Sequence, residues 1–370
     1  MPLEVTASLD RDVAIYLAGE TLRVTVTIQN VTNRGKISQT EQLAWGSVQF
    51  ICERTIGAST KWPSNRPRPP TTSMVRPAST VYSSQPNIIF CELKLAPNQS
   101  KQFTCDIPLS RNSIPPTFRG TLVKYSNRVT VAVSHVQAHI RIANLPVRII
   151  PSVGLEAKLS IPENPFLAST MTKPTVIETV MATVDDLTMS RKSLAYSLVH
   201  SSSRVALLTL PKKAYKLGDD VCGYLDFKDS KTPCVQYSAS IETEEKMIDP
   251  DVEENEETEH KRKITKTHSL ISPITVFTED STFRLNIPLG AAPTFSTDSV
   301  QLKWKIRFVF VVSSQEYAVH VKDNIVHSNA PTEVPVESFS WSTEILVLPC
   351  KPQNAALLDT TFPNTVSLSV

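Results

Sequence analysis

Apolar and polar residues alternate along most of this chain with a period of two. Leu22, Val24, Val26 and Ile28 are interleaved with Arg23, Thr25 and Thr27; Val129, Val131 and Val133 with Arg128, Thr130 and Ala132; Trp304, Ile306, Phe308 and Phe310 with Lys303, Lys305, Arg307 and Val309. Successive side chains of a strand point to opposite faces, so this pattern predicts half-buried strands. The strand-like runs are short and punctuated by Pro, Asn and Ser, which favours antiparallel sandwiches over an α/β sheet. With only 9 glycines in 370 residues, the turns fall largely to Pro, Asn, Asp and Ser. One stretch departs from the period: Ile177, Val180, Met181, Val184 and Leu187 share one face of a short helix within Val176 to Ser190, which reads equally well as a linker.

A weak internal repeat organises the strands. Tyr16-Leu17-Ala18-Gly19-Glu20 matches Tyr215-Lys216-Leu217-Gly218-Asp219. Ile107-Pro108-Leu109 matches Ile287-Pro288-Leu289, and Pro115-Pro116-Thr117-Phe118 matches Pro293-Thr294-Phe295. Leu145 to Pro151 matches Glu344 to Pro349. Four landmarks in one order predict a duplicated sandwich. The expected division is a first domain over 1–152 with a disordered insertion at about 56–86, a linker over 153–192, a second domain over 193–351 with an acidic loop at about 246–266, and a tail over 352–370.

Composition narrows the functions. The 41% hydrophobic content supports one or two substantial cores, and a net charge of +2 is too small to point to nucleic acid or to membrane binding by charge alone. The six cysteines are far apart, without C-x-x-C or zinc-ligand spacing, and read as small buried hydrophobes. The start at Met1-Pro2-Leu3 lacks the pattern of a signal peptide, and no apolar run approaches the length of a membrane span, so a cytoplasmic, reducing setting is expected. Walker A, G-x-G-x-x-G, H-E-x-x-H and G-x-S-x-G motifs do not occur, so catalytic, cofactor-binding and metal residues are all expected to be none. His135 and His139 have the spacing of a helical metal pair, but their neighbours read as strand, where four residues span about 13 Å.

Ala18-Gly19-Glu20 and Pro115-Pro116-Thr117-Phe118-Arg119-Gly120, followed by Val123-Lys124-Tyr125, resemble the opening turn and late crossover of the arrestin-like superfamily. Leu43-Ala44-Trp45, Ile89 to Leu93, Ser113 to Tyr125, Tyr215 to Gly223, Leu302 to Phe310 and Val334 to Trp341 more closely resemble the reduced-growth-phenotype protein family. That resemblance spans nearly the whole chain. It implies an all-β fold of two tandem arrestin-like antiparallel β-sandwich domains with long disordered loops. The implied function is that of the smaller, non-catalytic subunit of a heterodimeric exchange factor that activates a Rab GTPase in retrograde and intra-Golgi trafficking. The implied partners are a large propeller-and-solenoid subunit, which holds the exchange domain, a Rab GTPase, and the Golgi membrane as a peripheral contact. The alternative is an arrestin-like cargo or ubiquitin-ligase adaptor, which predicts Pro-Pro-x-Tyr in the tail; none occurs.

Several segments are weighed as contacts. The run from Ile56 to Pro86, with Lys61, Arg66, Arg68 and Arg76 and no acid, reads as a mobile insertion or as a basic contact for anionic membrane. The acidic run from Glu242 to Glu259 reads as a solvated hairpin loop or as a docking patch for a basic tail. Glu253, Glu254, Glu256 and Glu257, together with Trp341, are the candidate partner-binding residues. Trp341, Phe339 and Trp304 read as strand core or as interface anchors. Asn354 to Val370 reads as a disordered tail whose alternating Val366, Leu368 and Val370 fit strand addition to a partner's edge.

Overall fold

A computed structural model describes residues 3–31, 40–57, 78–152, 174–189, 192–248, 262–314, 320–322, 325–327, 333–357 and 361–369. The first half forms β1 (Leu3–Val13), β2 (Ile15–Leu17), β3 (Thr21–Asn30), β4 (Glu41–Ile56), β5 (Ser79–Ser83), β6 (Asn87–Leu95), β7 (Ser100–Pro108), β8 (Phe118–Arg119), β9 (Val123–His135) and β10 (Arg141–Ile150). Then come α1 (Val176–Met189), β11 (Leu194–His200), β12 (Ser203–Leu210), β13 (Ala214–Lys216), β14 (Asp220–Asp226), β15 (Cys234–Met247), β16 (Lys263–Ile271) and β17 (Asp280–Asn286). β18 (Phe295–Ser296), β19 (Val300–Ser313), β20 (His320–Lys322), β21 (Ile325–His327), β22 (Val336–Leu348), α2 (Pro352–Ala356) and β23 (Pro363–Ser369) complete the described elements.

The fold is all-β, in two facing pairs of sheets. The first pair has the orders β23-β1-β3-β7 and β2-β10-β9-β4-β5, with β6 on β4 and β8 on β9. The second has the orders β11-β12-β14-β17 and β13-β22-β19-β15-β16, with β18 on β19. Pairing is antiparallel except at β2 with β10 and β13 with β22. The alternation dictates what each pair encloses: Leu22, Val24, Val26 and Ile28 of β3 face Val129, Val131 and Val133 of β9 in one core, and Trp304, Ile306, Phe308 and Phe310 of β19 lie in the other, all buried. Each such side chain contributes roughly 1.5–3 kcal/mol on leaving water.

The repeated landmarks form corresponding bonds, except that Ile287, two residues before the matched Leu289, takes the place of Leu109. Gly19 and Gly218 both have positive φ, 98° and 88°. The Gly19 N–H donates to Leu109 O at 2.7 Å and the Gly218 N–H to Ile287 O at 3.0 Å, while Ala18 and Leu217 donate to Ile150 O and Leu348 O. Thr117 and Thr294 each act at two points: their N–H groups donate to Ile149 O and Val347 O, and their hydroxyls accept from the N–H of Ile149 and Val347. Pro115-Pro116 and Pro293 lack an N–H, so each strand re-entry needs a donor just after them, and the threonine supplies it.

The helix forms near its predicted bounds. Thr175-x-x-Glu178 makes a reciprocal capping box: the Glu178 N–H donates to Thr175 Oγ1 at 3.2 Å and the Thr175 N–H to Glu178 Oε2 at 2.8 Å. Those hydrogen bonds hold the Glu178 carboxyl below its usual range. Val180, Met181 and Val184 are buried against the second core.

Three expectations need correction. The insertion expected at 56–86 contains β5, which pairs with β4 and sets the Tyr82 ring edge-on to Phe50 at 6.2 Å. Arg76 and the other cations of that run lie outside the described residues. The tail expected at 352–370 instead forms α2 and then β23, which pairs antiparallel with β1 of its own chain, Val366 opposite Ala7 and Leu368 opposite Val5. Its alternating residues need an edge, and the nearest one is intramolecular. Of the cysteines, Cys52, Cys234 and Cys350 are buried as expected, whereas Cys91 and Cys222 are exposed and Cys105 is half-buried.

Candidate functional site: the seam between the sandwiches

The acidic run does not begin as a loop. Glu242, Glu244 and Glu245 lie in β15, and Glu242 and Glu245 are buried. Residues alternate across β15, so Ile241, Thr243 and Glu245 share a face while Glu242 and Glu244 take the opposite one. Buried carboxylates require partners, and each face supplies them differently.

On the outer face, Lys305 Nζ lies 3.5 Å from Glu242 and 3.4 Å from Glu244, and Lys263 Nζ lies 2.9 Å from Glu244. Burial pushes the Glu244 carboxyl up, but Lys263 and Lys305 outweigh it and hold the group below its usual range. On the other face, the Glu245 carboxylate meets the first sandwich. It accepts from the backbone N–H groups of Thr121 at 2.8 Å and of Leu122 and Val123 at 2.9 Å. Those donors run from the end of the Pro115-to-Gly120 crossover to the first residue of β9, Val123. Three successive amides converging on one carboxylate form an anion nest that needs no side-chain cation.

Other contacts join the same seam. The Phe118 and Phe295 rings, equivalent in the two repeats, meet edge to face at 5.0 Å. Tyr125 and Thr297 share a 3.0 Å hydroxyl contact, Arg54 Nη1 donates to Ser299 Oγ, and buried Arg148 donates to Gly290 O and Ala291 O at 3.3 and 3.2 Å. Phe295, Val300 and Leu302 from the second half pack into the first core, and Ile15, Leu17 and Ile150 from the first half pack into the second. A cleft of about 340 Å³ remains, bounded by Arg119, Arg148, Glu245, Lys266, His268 and Phe362. Burial and nearby Lys266 lower the His268 pKa, and its ring stacks on Trp304 at 4.9 Å.

This geometry holds two bodies in register through hydrogen bonds, ring contacts and shared core residues. Among the described residues there is no group of three His, Cys, Asp or Glu side chains placed to hold a metal ion. His135 ends β9, where its Nε2 contacts Glu41 at 3.0 Å and its Nδ1 accepts from the Gln137 N–H at 3.1 Å; His139 follows a turn. The buried thiols of Cys52 and Cys234 are pushed up to about 12 and about 11, which suppresses the nucleophilic thiolate. No helix among the described residues is long and apolar enough to cross a membrane.

Of the residues singled out for partner binding, Glu253, Glu254, Glu256 and Glu257 lie outside the described residues. Trp341 is half-buried in β22, 5.0 Å from the Tyr196 ring and 6.1 Å from Phe308. Phe339 stacks on His200 at 4.8 Å and Phe310 at 5.2 Å, and Trp304 is fully buried with Nε1 donating to Ala292 O at 3.0 Å. Sequence reasoning missed Glu245 because its partners lie more than 120 residues away and are backbone amides, which leave no residue-type signal.

Comparison with known proteins adds an end-to-end match. The model of the Rgp1 family matches residues 163–313. Over 386 aligned positions the chain is 30% identical to the RAB6A-GEF complex partner protein 2 of Homo sapiens, covering 96% of each. The protein of the same name from Bos taurus is 29% identical over 382 positions, covering 95% of this chain and 94% of that one.

Proposed function

Because this chain belongs to the Rgp1 family, we propose that it is a subunit of a guanine-nucleotide exchange factor complex, and within it the non-catalytic, arrestin-like member of a heterodimer. The observation that carries this reading is the match over 96% of both chains to a relative named as a partner protein of such a complex. In this reading the second subunit is a large propeller-and-solenoid chain that holds the exchange domain, and the substrate is a Rab GTPase. The assembly works at the cytoplasmic face of the Golgi in retrograde and intra-Golgi transport, where this chain is a peripheral component.

The geometry of the seam supports a recognition role. Glu245, Arg148 and the Phe118–Phe295 contact join the two sandwiches, and surfaces already held in place lower the ordering cost of each further contact. The two tandem domains are assigned to about 1–152 and 193–351, with the carboxy-terminal strand returning to the first. Glu253, Glu254, Glu256, Glu257 and Trp341 are retained as proposed partner contacts.

Co-expression of the full chain with the large subunit tests the assembly. One copy of each chain migrating as a single species in light scattering is the expected result. Two chains that elute separately at micromolar concentration would contradict it.

A further inference from the structure

The seam cleft shares Thr117, Phe118, Arg119, Gly120, Thr121 and Phe362 with a second cleft of about 690 Å³. Lys124 lines this second cleft, and among the described residues no carboxylate does. The ladder register sets Thr55 of β4 opposite Lys124 of β9, and Lys124 opposite Arg119 of β8. Ladder partners share a face, so a hydroxyl, an ammonium and a guanidinium form one row of donors, with neighbouring Cβ atoms about 5 Å apart.

Two cations directly opposite each other repel. The Arg119 guanidinium packs 5.9 Å from the centroid of the Phe362 ring, and neither it nor Lys124 forms an ion pair among the described residues. Cations that face another charge elsewhere in the ladders have an acid in reach. Arg23 is opposite Asp106, Lys303 opposite Glu244 and Lys305 opposite Glu242, while Lys263, opposite Lys246, has Glu244 at 2.9 Å. The pair of Arg119 and Lys124 lacks that counter-charge.

One carboxylate balances one cation. A phosphate monoester carries close to two negative charges near neutral pH, on three acceptor oxygens, and so matches two cations and a hydroxyl in one row. The guanidinium fork takes two phosphate oxygens and the ammonium acts as a point charge. The cleft is larger than a phosphate ion and lies in the range of small-molecule sites. Phe118, Pro146 and Phe362 give it apolar walls, and Thr121 and Ser126 add hydroxyls. Arg119 also borders the seam cleft, where Lys266 is a further cation without an ion pair among the described residues. The carboxylate of that cleft, Glu245, already accepts from three amides. Such an excess of positive charge suits a second phosphate on the same ligand.

We propose that the joined clefts bind a polyol carrying more than one phosphate, with Arg119, Lys124 and Thr55 holding one phosphate and Lys266 a second. A soluble inositol phosphate and the headgroup of a phosphoinositide present this same chemistry, and the test separates the two sources. The site does not depend on the assembly proposed above.

Calorimetric titration of the full chain with inositol trisphosphate tests the soluble source. Flotation with phosphatidylcholine vesicles, with and without phosphatidylinositol bisphosphate, tests the headgroup. The wild type is compared with Arg119→Gln/Lys124→Gln and with Lys94→Gln/Lys101→Gln, which removes the same charge from exposed positions of the first sandwich. The first variant is expected to bind at least about tenfold more weakly, and the second like the wild type. Amine acetylation of the wild type gives a readout independent of whether a variant folds: the ligand protects Lys124 and Lys266 and leaves Lys94 and Lys101 reactive. Binding of the trisphosphate in solution assigns the soluble source, and binding confined to vesicles that carry the bisphosphate assigns the headgroup; either supports the site. Equal affinity of the wild type and Arg119→Gln/Lys124→Gln, equal reactivity of Lys124 with and without ligand, or no binding of either probe overturns it. An acidic peptide that binds as tightly as the trisphosphate reassigns the row to carboxylates and also overturns it.

Discussion

Glu245 shows what a single side chain contributes to this molecule. Its carboxylate takes three amide protons from Thr121, Leu122 and Val123, so Glu245→Ala strands three donors at a buried junction. The expected loss is about 3 kcal/mol of unfolding free energy, with Glu245→Gln costing less because its one remaining carbonyl oxygen still accepts. Urea denaturation of the purified variants checks the order. A second residue-scale prediction concerns pH. Arg128 holds the Glu53 carboxyl below its usual range, and a carboxylate with a depressed folded-state pKa stabilises the fold above its unfolded value of about 4.3. That contribution is lost as pH falls through the lower folded value. Thermal melts between pH 6 and 3 are therefore expected to show a shallower decline for Glu53→Gln than for the wild type. Gly19 and Gly218 complete the scale: with φ of 98° and 88°, alanine at either position costs about 1–3 kcal/mol. Equal effects at the two sites in chemical denaturation would reflect their equivalent turns.

Elements differed in how far the sequence disclosed them. β3, β9 and β19 were legible residue by residue, because one buried face and one wet face leave a period of two in the composition. The short helix α1 was legible from its apolar face, and Thr175-x-x-Glu178 carried an additional start signal that periodicity alone does not use. The duplicated landmarks marked the paired turns at Gly19 and Gly218 and the crossovers at Thr117 and Thr294. β15 was obscured because Glu242, Glu244 and Glu245 merge in sequence with the acids that follow, and charge density hides alternation. For β23 the alternation was visible but its partner was not, since nothing near Val366 encodes β1 about 360 residues earlier. Pairing across that separation depends on the completed sandwich, which brings the edge of β1 within reach. Removing residues 362–370 leaves β1 paired only with β3, frees its other edge, and withdraws the buried Phe362, whose backbone carbonyl accepts from the Ala14 N–H. A stability loss of about 3 kcal/mol or more is expected, together with greater aggregation through the freed edge. Calorimetry and light scattering on the truncated chain measure both.

At the scale of the whole molecule, two sandwiches share side chains across one seam. Such a body is suited to holding other chains in position. Fold class and family were readable from ordered landmarks, whereas the seam emerged only in three dimensions, because carboxylate-to-amide contacts have no spacing rule. The central claim is the proposed function, that this chain enables nucleotide exchange by assembly, without supplying the exchange chemistry itself. Its most direct measurement is the release of fluorescent GDP from a RAB6A-type GTPase with this chain alone, with the large subunit alone, and with both together. The account predicts release at the intrinsic rate with this chain alone and strong acceleration by the pair. Acceleration by this chain alone, equal to that of the pair, would contradict it.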